Sequence, residues 1–174
     1  LKAPQAEFVE PTICKETLQQ DFQMFVEYER KKIQAQIDVA LQINQQLKTI
    51  LAKIDRQDHY DEIIQEVAKA CDDFTFRIYI TDHTGLQLSS NIEKNKDGKW
   101  ELHPESRHKN WSWRPYFFEN VAKMTVEKRG ILSDLYTDID RNEQIRTFSY
   151  PLTDQLFIFL DIPYSYLFEQ EGLL

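Results

Sequence analysis

The sequence predicts an α+β protein in which a long N-terminal helix packs on a five-stranded antiparallel sheet. Three observations lead to this prediction. No glycine or proline occurs between Thr12 and Thr84, and the first part of that stretch is rich in strong helix formers. After Asp73 the apolar residues change from helical spacing to alternation. One more helical segment then interrupts a series of short strands, which is typical of α+β domains.

The longest predicted helix begins near Pro11, because proline favours a first helical turn, and it continues to about Ile54. Apolar residues recur in it at intervals of seven, at Val26, Ile33, Ala40, Leu47 and Ile54. The positions three residues earlier include Asn44, and such a residue can fix the register of a coiled coil. A helix of about 40 residues spans roughly 60 Å, which suits a connector or a dimer spine. We therefore predict a linker and long dimerisation helix over 1–57, with an ordinary amphipathic core helix as the alternative.

A second helix is predicted from about Tyr60 to Cys71, with Asp58 as its N-cap. Beyond it, "FTFRIYIT" alternates apolar and polar residues, as a strand with one buried face does. The turn residues "DHTG" follow, so "LQLSS" is predicted to complete a hairpin over 74–90. The next segment, "EKNKDGKW", is polar and is predicted to be a solvated loop.

A third helix is predicted over "NWSWRPYFFENVAKMTVEKRG", with Asn110 or Ser112 as its cap, Pro115 in its first turn and Gly130 at its end. Three strands follow, "ILSDLYTD", "QIRTFSYPL" and "LFIFLDIP", and the last is apolar enough to lie centrally in the sheet. Two helices, two strands, a helix and three strands form the PAS-like arrangement known as the PDC or Cache sensor fold. We assign 58–174 to this sensor domain.

Composition argues against several classes of function. The net charge of −8 and the scattered basic residues argue against a nucleic-acid partner. Cys14 and Cys71 form neither a disulfide framework nor a metal-ligand pattern, so a cytoplasmic protein without metal or cofactor is expected. The longest apolar run, "LFIFL", is far shorter than the ~20 residues of a membrane span. The N-terminal "LKAPQAEFVEP" lacks the features of a signal peptide and is interpreted as the cut end of a longer protein.

Five segments carry a resemblance to a known family: "EFVE", "FRIYITDHTGLQLSSN", "KNWSWRPYFFEN", "SDLYTDIDRNEQIRTFSYP" and "DIPYSYLFEQEGL". Together they resemble the C-terminal EAL-associated signalling domain of YkuI-type proteins. The resemblance implies a dimeric regulatory domain of a cyclic-di-GMP signalling protein, with a phosphodiesterase-type EAL domain upstream. Because the chain has no E-A-L motif and no matching set of metal-binding carboxylates, no catalytic residue is assigned and no enzyme activity is expected.

The likeness to PDC sensors also implies a ligand pocket at the segment that precedes the third strand. In the amino-acid-binding members an arginine and neighbouring aromatic residues clasp the carboxylate of the ligand, and by resemblance these are Trp113, Arg114 and Tyr116. A guanidinium matches a carboxylate geometrically, and aromatic walls exclude water from the pair. The order and spacing of "WSWRPYF" differ from those members, so the resemblance implies a small carboxylate-bearing ligand without naming it.

Three further residues are candidates for the same site. Asp134 and Tyr136 fall on one side of a strand by the two-residue period, and Asp161 follows the most apolar strand. Two alternatives remain open. Arg114 can instead pair permanently with Asp134 or Asp161, since a buried arginine needs a partner, and the domain is then a purely structural dimerisation module. An enzyme is the third possibility, although no nucleophile or acid–base set supports it.

Overall fold

The structure, a computed structural model, describes residues 11–55 and 59–166, and the side chains among them from residue 15 onward. It confirms an α+β fold with a long N-terminal helix and an antiparallel sheet. The helices are α1 (Pro11–Leu51), α2 (Tyr60–Ala70) and α3 (Phe117–Glu127), with a short 3-10 helix at Pro104–Ser106. The strands are β1 (Arg77–Asp82), β2 (Asn91–Lys94), β3 (Trp100–His103), β4 (Ile131–Leu132), β5 (Tyr136–Asp138), β6 (Glu143–Pro151) and β7 (Leu156–Pro163). The predicted cap Asp58 and the boundary between 57 and 58 lie outside the described residues.

The strand order in the sheet is β3-β2-β1-β7-β6-β4, with β5 also paired to β6, and the pairings between the strands are antiparallel. The apolar strand β7 lies between β1 and β6, as its composition predicts. In this register Asp161 of β7 stands opposite Arg77 of β1 on one side and Thr147 of β6 on the other. The sheet thereby places one acidic residue between a basic and a hydroxyl residue.

The sheet has seven strands rather than the predicted five, and the hairpin predicted over 74–90 forms only in part. The amide of Asp82 donates to the Leu86 carbonyl at 3.0 Å and that of Leu88 to the Ile80 carbonyl at 2.9 Å, but the returning segment does not form a strand. On the side away from β7, β1 pairs with β2, which begins only at Asn91. The segment before it makes isolated bridges, Thr81 to Gln87 and Leu86 to Asn110, because it crosses to the loop that covers the sheet. The predicted solvated loop instead carries the β2–β3 hairpin, whose turn contains Gly98 at a φ of +74°.

One face of the sheet is covered by α2 and by the C-terminal half of α1. Ile43, Leu47 and Leu51 of α1 are buried in this first core, whereas Ile33 remains 54% exposed. The apolar residues that recur at intervals of seven in α1 are therefore buried toward the C-terminal end of the helix and exposed to solvent toward its N-terminal end. Asn44 donates from Nδ2 to the carbonyl of Gly130 at 3.1 Å and accepts from the Gly130 amide at 2.8 Å, so it docks α1 on its own sheet.

The other face is covered by α3 and the segment 104–116, which enclose a second, aromatic core. The third helix begins at Phe117, later than predicted, because the preceding residues form turns packed on the β1–β2 connection. The amide of Trp111 donates to the carbonyl of Gly85 at 2.9 Å. Gly85 has a φ of +89° and lies so close to Ser112 that a Cβ atom would sit 2.7 Å from its nitrogen. The helix ends with Lys128 in the left-handed conformation, not with Gly130.

Among the described residues, no helix combines the length and the apolar character required to cross a membrane.

Candidate functional site

Arg77 forms the centre of a buried cluster of charges beneath the segment 104–116. Its side chain is 2% exposed, and those of Asp138 and Asp161 are 0% exposed. Arg77 Nε donates to Asp161 Oδ2 at 2.7 Å, and Arg77 Nη2 donates to Asp138 Oδ1 at 2.6 Å. Short, charge-assisted bonds of this kind satisfy a buried guanidinium. Arg77 therefore joins β1 to β7 and to the end of β5.

Arg114 enters the same cluster from the turn before α3, with a side chain 3% exposed. Its Nη1 donates to the Tyr136 hydroxyl at 2.8 Å, and its Nη2 donates to Asp138 Oδ1 at 3.3 Å. The distance from Arg114 Nη1 to Asp161 Oδ2 is 3.6 Å. The guanidinium carbon lies 4.4 Å from the centre of the Trp111 ring, within the range of a cation–π contact.

Hydroxyl groups complete the cluster. Thr147 Oγ1 donates to Asp161 Oδ1 at 2.7 Å and shares a hydrogen bond with the Tyr136 hydroxyl at 2.6 Å. The hydroxyls of Tyr79 and Tyr116 are 2.7 Å apart. Tyr136 therefore connects the acidic pair to Arg114, whereas Tyr79 and Tyr116 pair with each other beside it.

The electrostatics of the cluster keep its arginines and Asp138 charged. Burial tends to raise the pKa of Asp138, but the hydrogen bonds and charge of Arg77 outweigh burial and hold that pKa below its usual value. Burial tends to lower the pKa of Arg114, yet the neighbouring Tyr79 and Asp161 raise it above its ordinary value. Burial and the nearby Asp161 raise the pKa of Tyr136, so this phenol stays protonated at neutral pH.

Two cavities open beside Arg114, with volumes of about 320 Å³ and 220 Å³. They share Trp113, Arg114 and Ile139 in their walls. Trp113 is 58% exposed and Ile139 is 73% exposed, so an aromatic and an aliphatic side chain form an open rim around a buried guanidinium. Such a site suits a small molecule with an anionic group and an apolar body. In the described part of the chain, no group of three or more His, Cys, Asp or Glu side chains is arranged to hold a metal ion.

The structure brings together four of the six residues predicted for the site, namely Arg114, Tyr116, Tyr136 and Asp161. Trp113 lies on the rim, where its ring centre is 5.9 Å from that of Trp111 with the two planes tilted by 40°. Asp134 is exposed and makes no described bond with the buried charges, but it lines a cavity of about 110 Å³ together with Tyr116 and Tyr136. Asp134 and Tyr136 thus face one cavity, as the two-residue period predicts, although residues 133–135 separate β4 from β5 and are not part of a strand.

Sequence reasoning missed Arg77, Tyr79, Asp138 and Thr147. Arg77 and Tyr79 fall on the polar face of a strand that was expected to have one exposed face. In the structure both faces of β1 are buried, because the segment 104–116 and α3 cover the second one. One feature of the sequence could have indicated the pair: each of two apolar strands contains a charged residue, Arg77 in β1 and Asp161 in β7.

The sequence and fold are similar to those of proteins already known. The family described as EAL-domain associated signalling protein domain matches residues 8–174. The chain is 40% identical over 176 residues to the uncharacterised EAL-domain containing protein YkuI of Bacillus subtilis (strain 168), covering 100% of this chain and 43% of that protein. The crystal structure of YkuI, in complex with its substrate c-di-GMP and calcium, aligns with a TM-score of 0.84 at 40% identity, over 99% of this chain and 43% of that chain.

The sensory domain of the Campylobacter jejuni chemoreceptor Tlp3, with isoleucine bound, aligns with a TM-score of 0.57 at 11% identity, over 97% of this chain and 68% of that chain. This likeness shows the fold alone, and it confirms the PAS-like, Cache-type sensor architecture. The chain spans less than half the length of YkuI, and the EAL domain of that relative lies in its other part. The chain therefore belongs to the family of EAL-domain associated signalling domains.

Proposed function

We propose that this domain is the regulatory sensor and dimerisation domain of a cytoplasmic cyclic-di-GMP signalling protein, with an EAL phosphodiesterase-type domain upstream. We further propose that it binds a small carboxylate-bearing ligand at Arg114. The observation that carries the ligand site is the position of Arg114. It is a buried arginine at the wall of two open cavities, with contacts to its carboxylates of 3.3 and 3.6 Å. Membership of the family and the 40% identity to YkuI support the signalling role.

The charge balance of the cluster restricts the ligand. Two buried arginines, Arg77 and Arg114, face two buried aspartates, Asp138 and Asp161, so the buried part of the cluster is neutral without a ligand. At its edge Asp140 and Glu93 add negative charge, at 3.7 and 3.9 Å from Arg77. An incoming carboxylate adds a negative charge near both aspartates, and a positive group on the same ligand compensates for it. A zwitterion with an apolar side chain therefore fits best. The Tlp3 sensory domain was solved with isoleucine and with L-valine, although the proposal rests on the residues of this chain.

Thermal unfolding tests the ligand site. The protein is titrated with the common amino acids and with small carboxylates that lack an amine. We expect one class to raise the unfolding midpoint of the unmodified protein and of a control variant, Arg30→Ala, which removes an exposed arginine of α1. Arg114→Lys keeps the charge but loses the planar fork, and we expect the shift to disappear there. A shift that persists unchanged in Arg114→Lys, or no shift with any compound, contradicts the ligand proposal.

The dimerisation proposal rests on the open half of α1. Leu18, Phe22 and Phe25 are each between 59% and 68% exposed, and Val26 is 46% exposed. A helix that leaves such a row of apolar side chains uncovered needs a second surface, and a second copy of the chain supplies one. The C-terminal half of the same helix packs in the core of the sensor sheet, so α1 connects the ligand site to whatever precedes it in the chain.

A purely structural dimerisation module is the second candidate. The observation in its favour is that Arg114 already has protein partners, Tyr136, Asp138 and Asp161. In that case no compound shifts the unfolding midpoint, while the dimer persists.

A further inference from the structure

A second groove lies on the face of the sheet opposite to the Arg114 site. It has a volume of about 440 Å³ and runs between α1 and the edge formed by β4 and β6. Arg146 of β6 lines it. The next residue, Thr147, points to the other face and bonds Asp161, whereas Phe148 is buried in the first core with α1. The groove is therefore separated from the Arg114 cluster by the sheet itself.

Arg146 has no acidic partner in the described part of the chain. Its relative exposure is 8%, its Nε is buried without a hydrogen-bond acceptor, and its Nη1 donates to the carbonyl of Ser133 at 3.0 Å. By contrast, Arg77 and Arg114 are each within 4.0 Å of two buried carboxylates. A buried guanidinium without an anion is unfavourable, because desolvation of the charge is not offset. An anion from outside the domain would offset it.

The rest of the groove is mainly apolar. Ile33, Ile37 and Leu41 lie one helical turn apart along α1 and are 54%, 48% and 55% exposed. Leu132 forms part of the opposite wall. Two exposed charged residues also line the groove, Asp134 and Arg129, and the Nε of Arg129 already donates to Glu127 at 2.5 Å. Asp134 opposes a ligand with several negative charges, whereas a single charge can lie against Arg146. The volume is within the range of sites for small molecules, roughly 300–1,000 Å³.

We propose that this groove binds a small amphipathic monocarboxylate, whose carboxylate pairs with Arg146 and whose apolar tail lies along Ile33, Ile37 and Leu41. The guanidinium supplies the charge and the planar donors that a carboxylate requires. The apolar residues of α1 supply the surface that an aliphatic tail covers. Because the ligand contacts both α1 and β6, it holds the long helix against the sheet beside the link between Asn44 and Gly130.

Octanoate is a suitable probe, and octanol is its uncharged counterpart with the same tail. We expect isothermal titration calorimetry to show one octanoate bound per chain, because octanoate lacks the positive group that the proposed Arg114 ligand carries. We expect at least tenfold weaker binding of octanol. Arg146→Met keeps the length of the side chain and removes its charge. We expect this variant to fold with an unfolding midpoint no lower than that of the unmodified protein, since it removes a buried charge without an anion, and to bind octanoate at least tenfold more weakly.

Two controls separate this groove from the rest of the molecule. Arg30→Met removes an exposed arginine of α1, and Arg114→Lys alters the other site; octanoate binding is expected to be unchanged in both. Equal affinity for octanoate and octanol, equal affinity in Arg146→Met, or loss of binding in Arg114→Lys would each overturn the proposal. The proposal is also overturned if octanoate does not bind. If Arg146→Met in that case weakens self-association, the groove receives an acidic side chain from a second copy.

Discussion

Arg77 and Arg114 approach the same two carboxylates, and Arg77 is the closer of the two. Its Nη2 lies 2.6 Å from Asp138 and 2.7 Å from Asp161, whereas the corresponding distances for Arg114 are 3.3 and 3.6 Å. The two arginines therefore have different roles. Arg77 satisfies the aspartates and holds the strands together, whereas Arg114 is the cation that the proposed ligand would recruit without leaving either aspartate unpaired.

This difference predicts unequal losses of stability. Arg77→Met leaves both aspartates without their closest partner, so we expect the free energy of unfolding to fall by about 4 kcal/mol, as when one partner of a buried ion pair is removed. Arg114→Met leaves Arg77 in place, and we expect a loss of about 2 kcal/mol from its longer hydrogen bonds. Urea denaturation measures both. A larger loss in Arg114→Met than in Arg77→Met would contradict the assignment of Arg77 as the structural arginine.

Asp138 makes the stability of the domain dependent on pH in the acid range. Its pKa in the folded protein lies below the ordinary value of 3.8, so the unfolded chain takes up the proton first as the pH falls. The stabilisation is complete well above pH 3.8 and is lost as the pH falls through the folded pKa. Asp138→Asn lacks this contribution, so the difference in free energy of unfolding between unmodified protein and variant should narrow from pH 7 to pH 3.

The control for this titration is Asp97→Asn, which removes an exposed carboxylate from the β2–β3 turn. Its difference from the unmodified protein should be small at both pH values. If the gap between the unmodified protein and Asp138→Asn stays constant from pH 7 to pH 3, the carboxylate of Asp138 does not have the depressed pKa that its contact with Arg77 requires.

The sequence predicted those parts of the fold that local periodicity determines. The absence of glycine and proline gave α1, and the apolar character of "LFIFLDIP" gave the central strand β7. Periodicity describes one element at a time, so it does not show whether a second layer covers the other face of a strand. This is why Arg77 and Tyr79 were expected on a polar face, although Arg77 is buried against Asp138 and Asp161 and Tyr79 in the aromatic core.

The candidate site was predictable where one short segment carries it, and less so where distant strands meet. Arg114 and Tyr116 lie in "NWSWRPYFF", and the many aromatic residues of this one segment were enough to indicate a candidate site. Asp138 is brought to Arg77 by the pairing of β5 with β6, which no local pattern reveals. Asp134 and Tyr136 were predicted to face one pocket and do line one cavity, but the two-residue period does not show that Asp138 is the carboxylate that reaches Arg77.

The contact between Asn44 and Gly130 is expected to stabilise the packing of α1 on the sheet. Its amide makes two hydrogen bonds with the backbone of Gly130, at 3.1 and 2.8 Å. Asn44→Ala leaves those backbone groups without partners, and we expect the free energy of unfolding to fall by about 2 kcal/mol. Gln42→Ala, at an exposed position of the same helix, is the matched control and should change it by less than about 0.5 kcal/mol. Equal effects in both variants would show that the Gly130 contact does not stabilise the fold.

Cys71 should be almost unreactive in the folded protein. It is 1% exposed, and burial together with the charge of Asp73 raises the pKa of its thiol to about 12. Relative to an ordinary thiol of pKa 9.0, the thiolate fraction at neutral pH is lower by about 1,000-fold. In a Cys14→Ser background, reaction with Ellman's reagent should be slow in buffer and fast in urea. Rapid reaction of the folded protein would show that the core around α2 opens readily.

The exposed apolar residues in the N-terminal half of α1 are expected to form the dimer interface. Phe22 and Phe25 are 66% and 59% exposed, and charge at these positions cannot be buried against a second helix. Sedimentation equilibrium should show a dimer for the unmodified protein and a monomer for Phe22→Asp/Phe25→Asp, with the secondary structure of the domain retained because neither ring belongs to its core. Gln19→Asp adds one charge beside the same row and should remain a dimer. A dimer that survives the double substitution would place the interface elsewhere, and substitution of Leu47 cannot decide the matter because that residue is 0% exposed in the core.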